Sequence, residues 1–316
     1  MTTKQAWIGF CVLALIWGSS FLFIRIGVEQ LPPFQLVFIR TAIAAVGLNI
    51  VVLARGKRLP TDWRSIADLL FLGIVNTVLP FAFITWGETQ IESGLASVLQ
   101  GTAALFTLLV AHFAFADERI TLRKIIGLVI GFLGVVVLAS RSTAEAGSNT
   151  DSTLHVLGQL AIVVASFCYA LGGTFSRKAM QNRLDPFVVA AGAMTVAAIT
   201  TGIIAYAGPV VGVTPPIGLN QLEPRVLGAI LALGFVNTFG AYLIFYPLIA
   251  ALGAARTSMV TYIIPVVGLV LGAIFLGELL DVRLIIGAVM ILGSIAIVNL
   301  NLDTILNRTK TVPNKA

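Results

Sequence analysis

The chain has 316 residues, 58% of them hydrophobic and 11% charged, with a formal net charge of +6. Soluble domains carry about 25% charged residues, and a chain this apolar cannot cover a water-facing surface with polar groups. The excess Lys and Arg fall in short breaks between apolar stretches, which points to membrane topology rather than to nucleic acid.

A membrane crossing needs about 20 mostly apolar residues, and ten such segments follow one another. The spacing predicts helices at Trp7 to Val28, Pro33 to Ala54, Ser65 to Trp86, Gly94 to Phe115 and Leu122 to Ala139. Five more follow at Leu154 to Phe175, Pro186 to Tyr206, Arg225 to Pro247, Thr257 to Leu276 and Val282 to Leu300. The first exceeds the roughly 7–15-residue apolar core of a signal peptide and lacks a small-residue cleavage site after it, so it reads as a retained helix. The breaks are Leu31-Pro32-Pro33, Arg55 to Arg58, Asp117-Glu118-Arg119 and the polar run Arg141 to Thr153. Only helices or a closed barrel satisfy backbone groups in lipid, and strand-like alternation is absent from the sequence, so the fold class is an all-α integral membrane protein.

Leu72 to Thr77 returns as Leu233 to Thr238 with five of six residues identical, at an offset of 161. Glu118 to Gly127 returns as Glu278 to Gly287 with five of ten identical, at an offset of 160. The chain is therefore a duplicated five-helix unit, with boundaries at 1–145 and 146–302 and a polar tail at 303–316. Five crossings are odd, so the second unit enters from the opposite side, and the repeats are inverted. The cations agree. With the N-terminus inside, the inner segments hold Lys4, Arg55, Lys57, Arg58, Arg64, Arg119, Arg123, Lys124, Arg177, Lys178, Arg183, Arg256, Arg308, Lys310 and Lys315, fifteen in all. The outer loops hold three, Arg141, Arg225 and Arg283. Both termini are expected in the cytoplasm.

Asn76 and Asn237 fall at matched positions about 17 Å into their helices, near the midplane, where inverted-repeat transporters bind solute. They either line the path or bond neighbouring helices. Pro80 frees the carbonyl of Asn76, and Pro265 that of Thr261, so each is a candidate hinge or a tolerated kink. Arg40 lies about 10 Å deep; an intramembrane charge marks a substrate carboxylate or a structural partner. Arg25 is expected to snorkel to the surface. Glu88 and Glu92 close the third helix at the outer mouth and share a face if that helix continues. They attract cations, carry a coupling proton, or sit solvated in a loop. Trp17, Tyr169, Tyr242, Tyr246 and Tyr262 suit a pocket for flat or cationic solutes, or simply pack. Gln100 is a further polar candidate, and His112 reads as a structural histidine. Two cysteines, Cys11 and Cys168, and two histidines, His112 and His155, show no metal-ligand spacing. Neither a cofactor motif nor an enzyme signature is present in the sequence, so no metal or cofactor and no catalysis are expected.

Together these residues resemble the drug/metabolite transporter superfamily in its EamA-type branch. The likeness rests on Trp17-Gly18-Ser19-Ser20-Phe21, Arg40, Trp86-Gly87-Glu88, Ser93-Gly94-Leu95-Ala96-Ser97, Asp117-Glu118-Arg119 with Gly127, and Pro265, Gly277-Glu278 and Gly287. The resemblance implies a five-plus-five inverted bundle. Its cavity is lined by helices one, three, four, six, eight and nine, with Ser20 and the other candidates near it, and helices five and ten lie at the periphery. It implies alternating access and export of amino acids or other small metabolites from a bacterial inner membrane, as monomer or homodimer, with or without proton coupling. Export of cationic drugs and uptake are the rival transport readings. The family often carries a proline in mid helix four, where this chain has Gly101-Thr102-Ala103-Ala104-Leu105. Helices four and nine are therefore expected to bend unequally.

Overall fold

The computed structural model describes residues 3–115, 120–145, 150–180, 184–208 and 213–299. Asp117, Glu118, Arg119 and the residues from 303 lie outside them. Among the described residues, ten helices form the fold: α1 (Thr3–Gly27), α2 (Pro33–Ala54), α3 (Trp63–Gly87), α4 (Ser93–Ala114), α5 (Leu122–Glu145), α6 (Thr150–Met180), α7 (Pro186–Ala207), α8 (Pro224–Leu252), α9 (Arg256–Leu276) and α10 (Val282–Asn299). Among the described residues nine are long and apolar enough to cross a membrane, and α10 is a shorter apolar tenth. Among the described residues there is no strand.

The helix starts follow from local chemistry. Pro33, Pro186 and Pro224 open α2, α7 and α8 in the first turn, where a missing N–H costs nothing. Asp62 caps α3 by accepting from the Ser65 N–H at 2.9 Å, and Asp185 caps α7 by accepting from Phe187 at 3.0 Å. Apolarity alone placed α6 between Leu154 and Phe175, but it runs from Thr150 to Met180. Its outer turns carry Thr, Asp, Ser, Arg and Lys, which continue the helix beyond the apolar stretch. α5 likewise reaches Glu145, into the expected polar break.

Packing carries the duplication. α2 lies along α7, α5 along α10, and α4 against α9. α1 packs on α9 and α8, as α6 packs on α4 and α3; α3 meets α7, as α8 meets α2. Exchanging each helix with the one five later leaves this set of neighbours unchanged, as an inverted repeat requires.

The two ends of the bundle differ. We call the end that carries the N-terminus the near end. At the far end, Ile24, Leu36, Ile84, Leu95, Ile162, Ile230 and Leu284 from seven helices join one apolar core. The near halves divide into three clusters. One joins α2 to α7, one joins α1, α8 and α9, and one joins α3 to α7.

Candidate functional site

The repeated hexapeptide produces the same departure from α-helix in both copies. Residues Ile74–Val78 of α3 and Phe235–Gly240 of α8 each form a π turn. The Leu79 N–H reaches the Ile74 carbonyl, and the Ala241 N–H reaches that of Val236. Such turns concentrate at functional sites because one inserted residue redirects the side chains around it. Pro80 follows the first turn directly, but Ala241 stands at the matched place in the second. The π turn is thus common to both copies, whereas the proline is present in the first copy alone. In each copy the glycine of the hexapeptide lets the turn sit close to a helix of the other copy. A Cβ at position 73 would lie 2.5 Å from the Val196 side chain of α7, and one at position 234 would lie 2.6 Å from that of Ile43 on α2.

The second π turn organises Arg40. The Thr238 hydroxyl donates to the Leu233 carbonyl five residues back (2.8 Å) and accepts from Arg40 Nε (2.7 Å). The buried guanidinium lies over the Phe81 ring, 3.8 Å from its centroid, a cation–π contact strengthened by desolvation. Its Nη groups have no hydrogen-bond partner among the described residues, so their donors remain open for a ligand. Tyr169, Tyr242 and Glu88 lie within electrostatic reach of Arg40.

The two asparagines have different surroundings. Asn237 is buried, and its amide nitrogen donates to the Ile16 carbonyl, to Ser19 Oγ (2.9 Å) and to Ser20 Oγ (3.2 Å), pinning α8 to α1. Its Oδ1 is buried without a partner among the described residues. Asn76 is half-buried over Gly172 of α6, where a Cβ would meet the Asn76 side chain at 2.4 Å. The Asn76 amide has no hydrogen-bond partner among the described residues.

Glu88 does not stand at an open mouth. It is fully buried, with both carboxylate oxygens lacking partners among the described residues. Arg25 does not snorkel past it, since its guanidinium donates to the Glu88 backbone carbonyl. α3 stops at Gly87, so Glu88 and Glu92 do not share a helical face as expected. Glu92 lies half-buried at the rim, 3.9 Å from His155 Nε2.

Gln100 Oε1 is another buried acceptor without a partner among the described residues. It lies just before a break in α4 at Gly101 and Thr102. Helix four thus interrupts without the proline that the resemblance led one to expect. The Leu99 carbonyl accepts from Thr102 Oγ1 (2.6 Å), and Ser166 Oγ of α6 lies 3.4 Å from both the Leu99 and Gln100 carbonyls. Helix nine is interrupted at Met259, ahead of Pro265, whose carbonyl accepts from Ser97 Oγ of α4 at 3.3 Å.

Other candidates lie apart from this group. Trp17 packs on Phe245 with ring centroids 5.2 Å apart, Tyr246 stacks on Tyr242 at 5.7 Å, and Tyr262 packs against the far core. His112 accepts from the Ile120 N–H through Nδ1 at 3.3 Å, a structural role. Thr238, Phe81 and the buried, unpartnered Thr85 were missed by sequence reasoning. Thr238 was legible as the last residue of the repeated hexapeptide.

The family model for the EamA-like transporter family matches the chain twice, over residues 5–140 and 156–300. The chain belongs to that family. An EamA-type protein with ten apolar helices is a multi-pass membrane transporter, and the double match falls on the two halves of the packing pattern. An "Uncharacterized transporter" of Archaeoglobus fulgidus is 31% identical over 93% of this chain and 98% of that protein. A "Probable amino-acid metabolite efflux pump" of Salmonella typhimurium is 27% identical over 94% and 95% of the two chains. An "Uncharacterized inner membrane transporter" of Escherichia coli K12 is 28% identical over 85% and 82%. A solved crystal structure matches 98% of this EamA chain with a TM-score of 0.61 at 20% identity, a likeness of fold.

Proposed function

We propose that this transporter exports zwitterionic metabolites, amino acids foremost, by alternating access across a bacterial inner membrane. The observation that carries the reading is the chemistry of the open polar atoms. Arg40 is hydrogen-bonded through Nε and its Nη groups have no hydrogen-bond partner among the described residues, while the buried atoms without partners among those residues include Glu88 Oε1 and Oε2, Gln100 Oε1, Asn237 Oδ1 and the Thr85 hydroxyl. One fixed cation among several acceptors suits a molecule with a carboxylate and an ammonium. Buried polar groups are stable only when bonded, so such a solute completes the hydrogen bonds that the protein leaves unmade. We count Asn76, Tyr169 and Tyr242 with them as candidate solute contacts, and Trp17, Ser20 and Tyr262 as candidates further along the path.

The names of two relatives as amino-acid metabolite efflux pumps support the solute class and the direction. The excess of Lys and Arg at the near end supports a cytoplasmic N- and C-terminus. The units 1–145 and 146–302 then act as the two rocking halves, with 303–316 as a cytoplasmic tail. Transport rather than catalysis is the activity. Glu88 is our candidate for a coupling proton, because an unpaired carboxyl inside the membrane holds its charge at high cost.

The test is solute competition on purified protein in vesicles. Amino acids should displace one another, while the matching amines, which lack the carboxylate that Arg40 holds, should compete about tenfold or more weakly. Equal competition by amines would favour the cationic-drug reading instead. Glu88→Gln should flatten the pH dependence of transport; an unaltered pH profile removes Glu88 as the proton carrier.

A further inference from the structure

α9 ends at Gly277, whose φ of +67° turns the chain back on itself. The next side chain, Glu278, reaches across to α4. One carboxylate oxygen accepts from the Ser93 N–H (2.7 Å) and from Ser93 Oγ (2.8 Å), and the other accepts from the Gly94 N–H (2.8 Å). These amides belong to the first turn of α4, where no intrahelical acceptor exists. A carboxylate there caps the helix and meets the positive end of its dipole. Glu92 occupies the capping position by sequence, but its side chain makes no cap bond. The cap comes from the other copy.

The junction is built without slack. Ser93 is fully buried. A Cβ on Gly272 would lie 2.3 Å from a Glu278 carboxylate oxygen, and one on Gly94 would lie 3.0 Å from it. Beneath this joint, α9 packs along the far half of α4, whereas the near half of α4 packs on α6. The joint also closes over the shared far core, at the end where three separate clusters do not hold the helices apart. If solute leaves by the far face, α4 and α9 must part there.

We propose that Glu278 is the latch of the far gate, holding the transporter closed at that face by capping α4 across the boundary between the copies. It acts on solute only through the position of α4. The proposal rests on the alternating-access reading, but its test needs no solute, so failure of the amino-acid assignment leaves it intact.

With Cys11 and Cys168 replaced by alanine, Ser97→Cys places a thiol at the buried α4–α9 contact, where Ser97 faces the Pro265 carbonyl. The labelling rate by a water-soluble maleimide on purified protein reports how often the far end opens. Glu278→Gln should raise that rate about tenfold or more, the equilibrium shift that corresponds to about 1.4 kcal/mol. Gly272→Ala keeps the carboxylate but crowds it, and should raise the rate in the same direction; it decides the matter if the Glu278 variant does not fold. Melting temperature is measured on the same preparations. Faster labelling at an unchanged melting temperature supports the latch. Labelling at the parent rate, or a rise that merely follows lost thermal stability, overturns it.

Discussion

The two copies of the Leu-Gly-x-Val-Asn-Thr segment share a sequence and a π turn, yet they do opposite things. In α8, Asn237 and Thr238 are engaged. One bonds α1 through Ile16, Ser19 and Ser20, and the other fixes Arg40. In α3, the Asn76 side chain stands over Gly172, half-buried, and Thr77 is buried. The difference does not come from the segment. It comes from what each helix faces: α8 meets hydroxyls and a carbonyl on α1, while α3 meets a glycine on α6. A duplicated motif therefore supplies one structural joint and one open amide, and an asymmetric solute can be held by a backbone that is nearly symmetric.

This contrast can be broken at three levels. The largest effect belongs to Arg40. Arg40→Lys keeps the charge but removes the planar fork and the Nε–H that Thr238 accepts. Losing hydrogen bonds to a charged group costs about 1.5–3 kcal/mol each, so solute affinity should fall about a hundredfold. Thr238→Val should lower affinity in the same direction, whereas Thr77→Val should leave it unchanged. Equilibrium binding on the three purified variants checks this, and equal effects from both threonines would erase the distinction between the copies.

The asparagines give the next largest effect. Asn76→Ala should weaken solute binding about tenfold while the melting temperature in detergent stays put. Asn237→Ala removes bonds to three groups of α1 and should cost about 1–3 kcal/mol of stability, lowering the melting temperature. If Asn76→Ala melts early and binds normally, the copies play the same structural part.

The sequence made the fold legible because each helix is bounded by chemistry that acts locally: Pro33, Asp62, Asp185, Pro186 and Gly277 each stop or start a helix by their own backbone needs. It made the repeat legible because Asn76 and Asn237 sit at one offset. The fates of the two asparagines were not legible, since they depend on Gly172 and Ser20, residues remote in sequence whose facing is set by helix packing. Glu88 was misplaced for a related reason. Its distance from the helix end was readable, but the core that closes over it is assembled from eight helices. The break in α4 was hidden because hydroxyls, not a proline, accommodate it; Thr102 and the remote Ser166 do that work. Glu278 was visible as an echo of Glu118 and as part of the family likeness, and nothing local ties it to Ser93.

The smallest effect separates the two ends of the α2–α7 pair. Each end has a pin between the copies, formed by the loop that leaves one of these helices and the start of the other. At the near end Lys57 pairs with Asp185. At the far end Gln35 bonds both backbone groups of Ile217, donating to its carbonyl at 2.6 Å and accepting from its N–H at 2.8 Å. Burial pushes the Asp185 carboxyl up, but the Lys57 hydrogen bond and the Phe187 N–H outweigh it and hold the carboxyl below its ordinary value. A folded-state value below the unfolded one means the near pin contributes its full stability above the unfolded carboxylate range, about pH 4. That contribution is lost as pH falls through the folded value. The pair is partly exposed, so it is worth about 1 kcal/mol or less. The far pin contains only amides and has no such dependence. Melting profiles from about pH 2 to 6 should therefore show Asp185→Asn losing part of the parent's low-pH slope, while Gln35→Leu shifts the whole curve down without changing its shape. A parent slope that survives intact in Asp185→Asn would mean the near pin carries no stability, and the two ends of the pair would differ only in geometry.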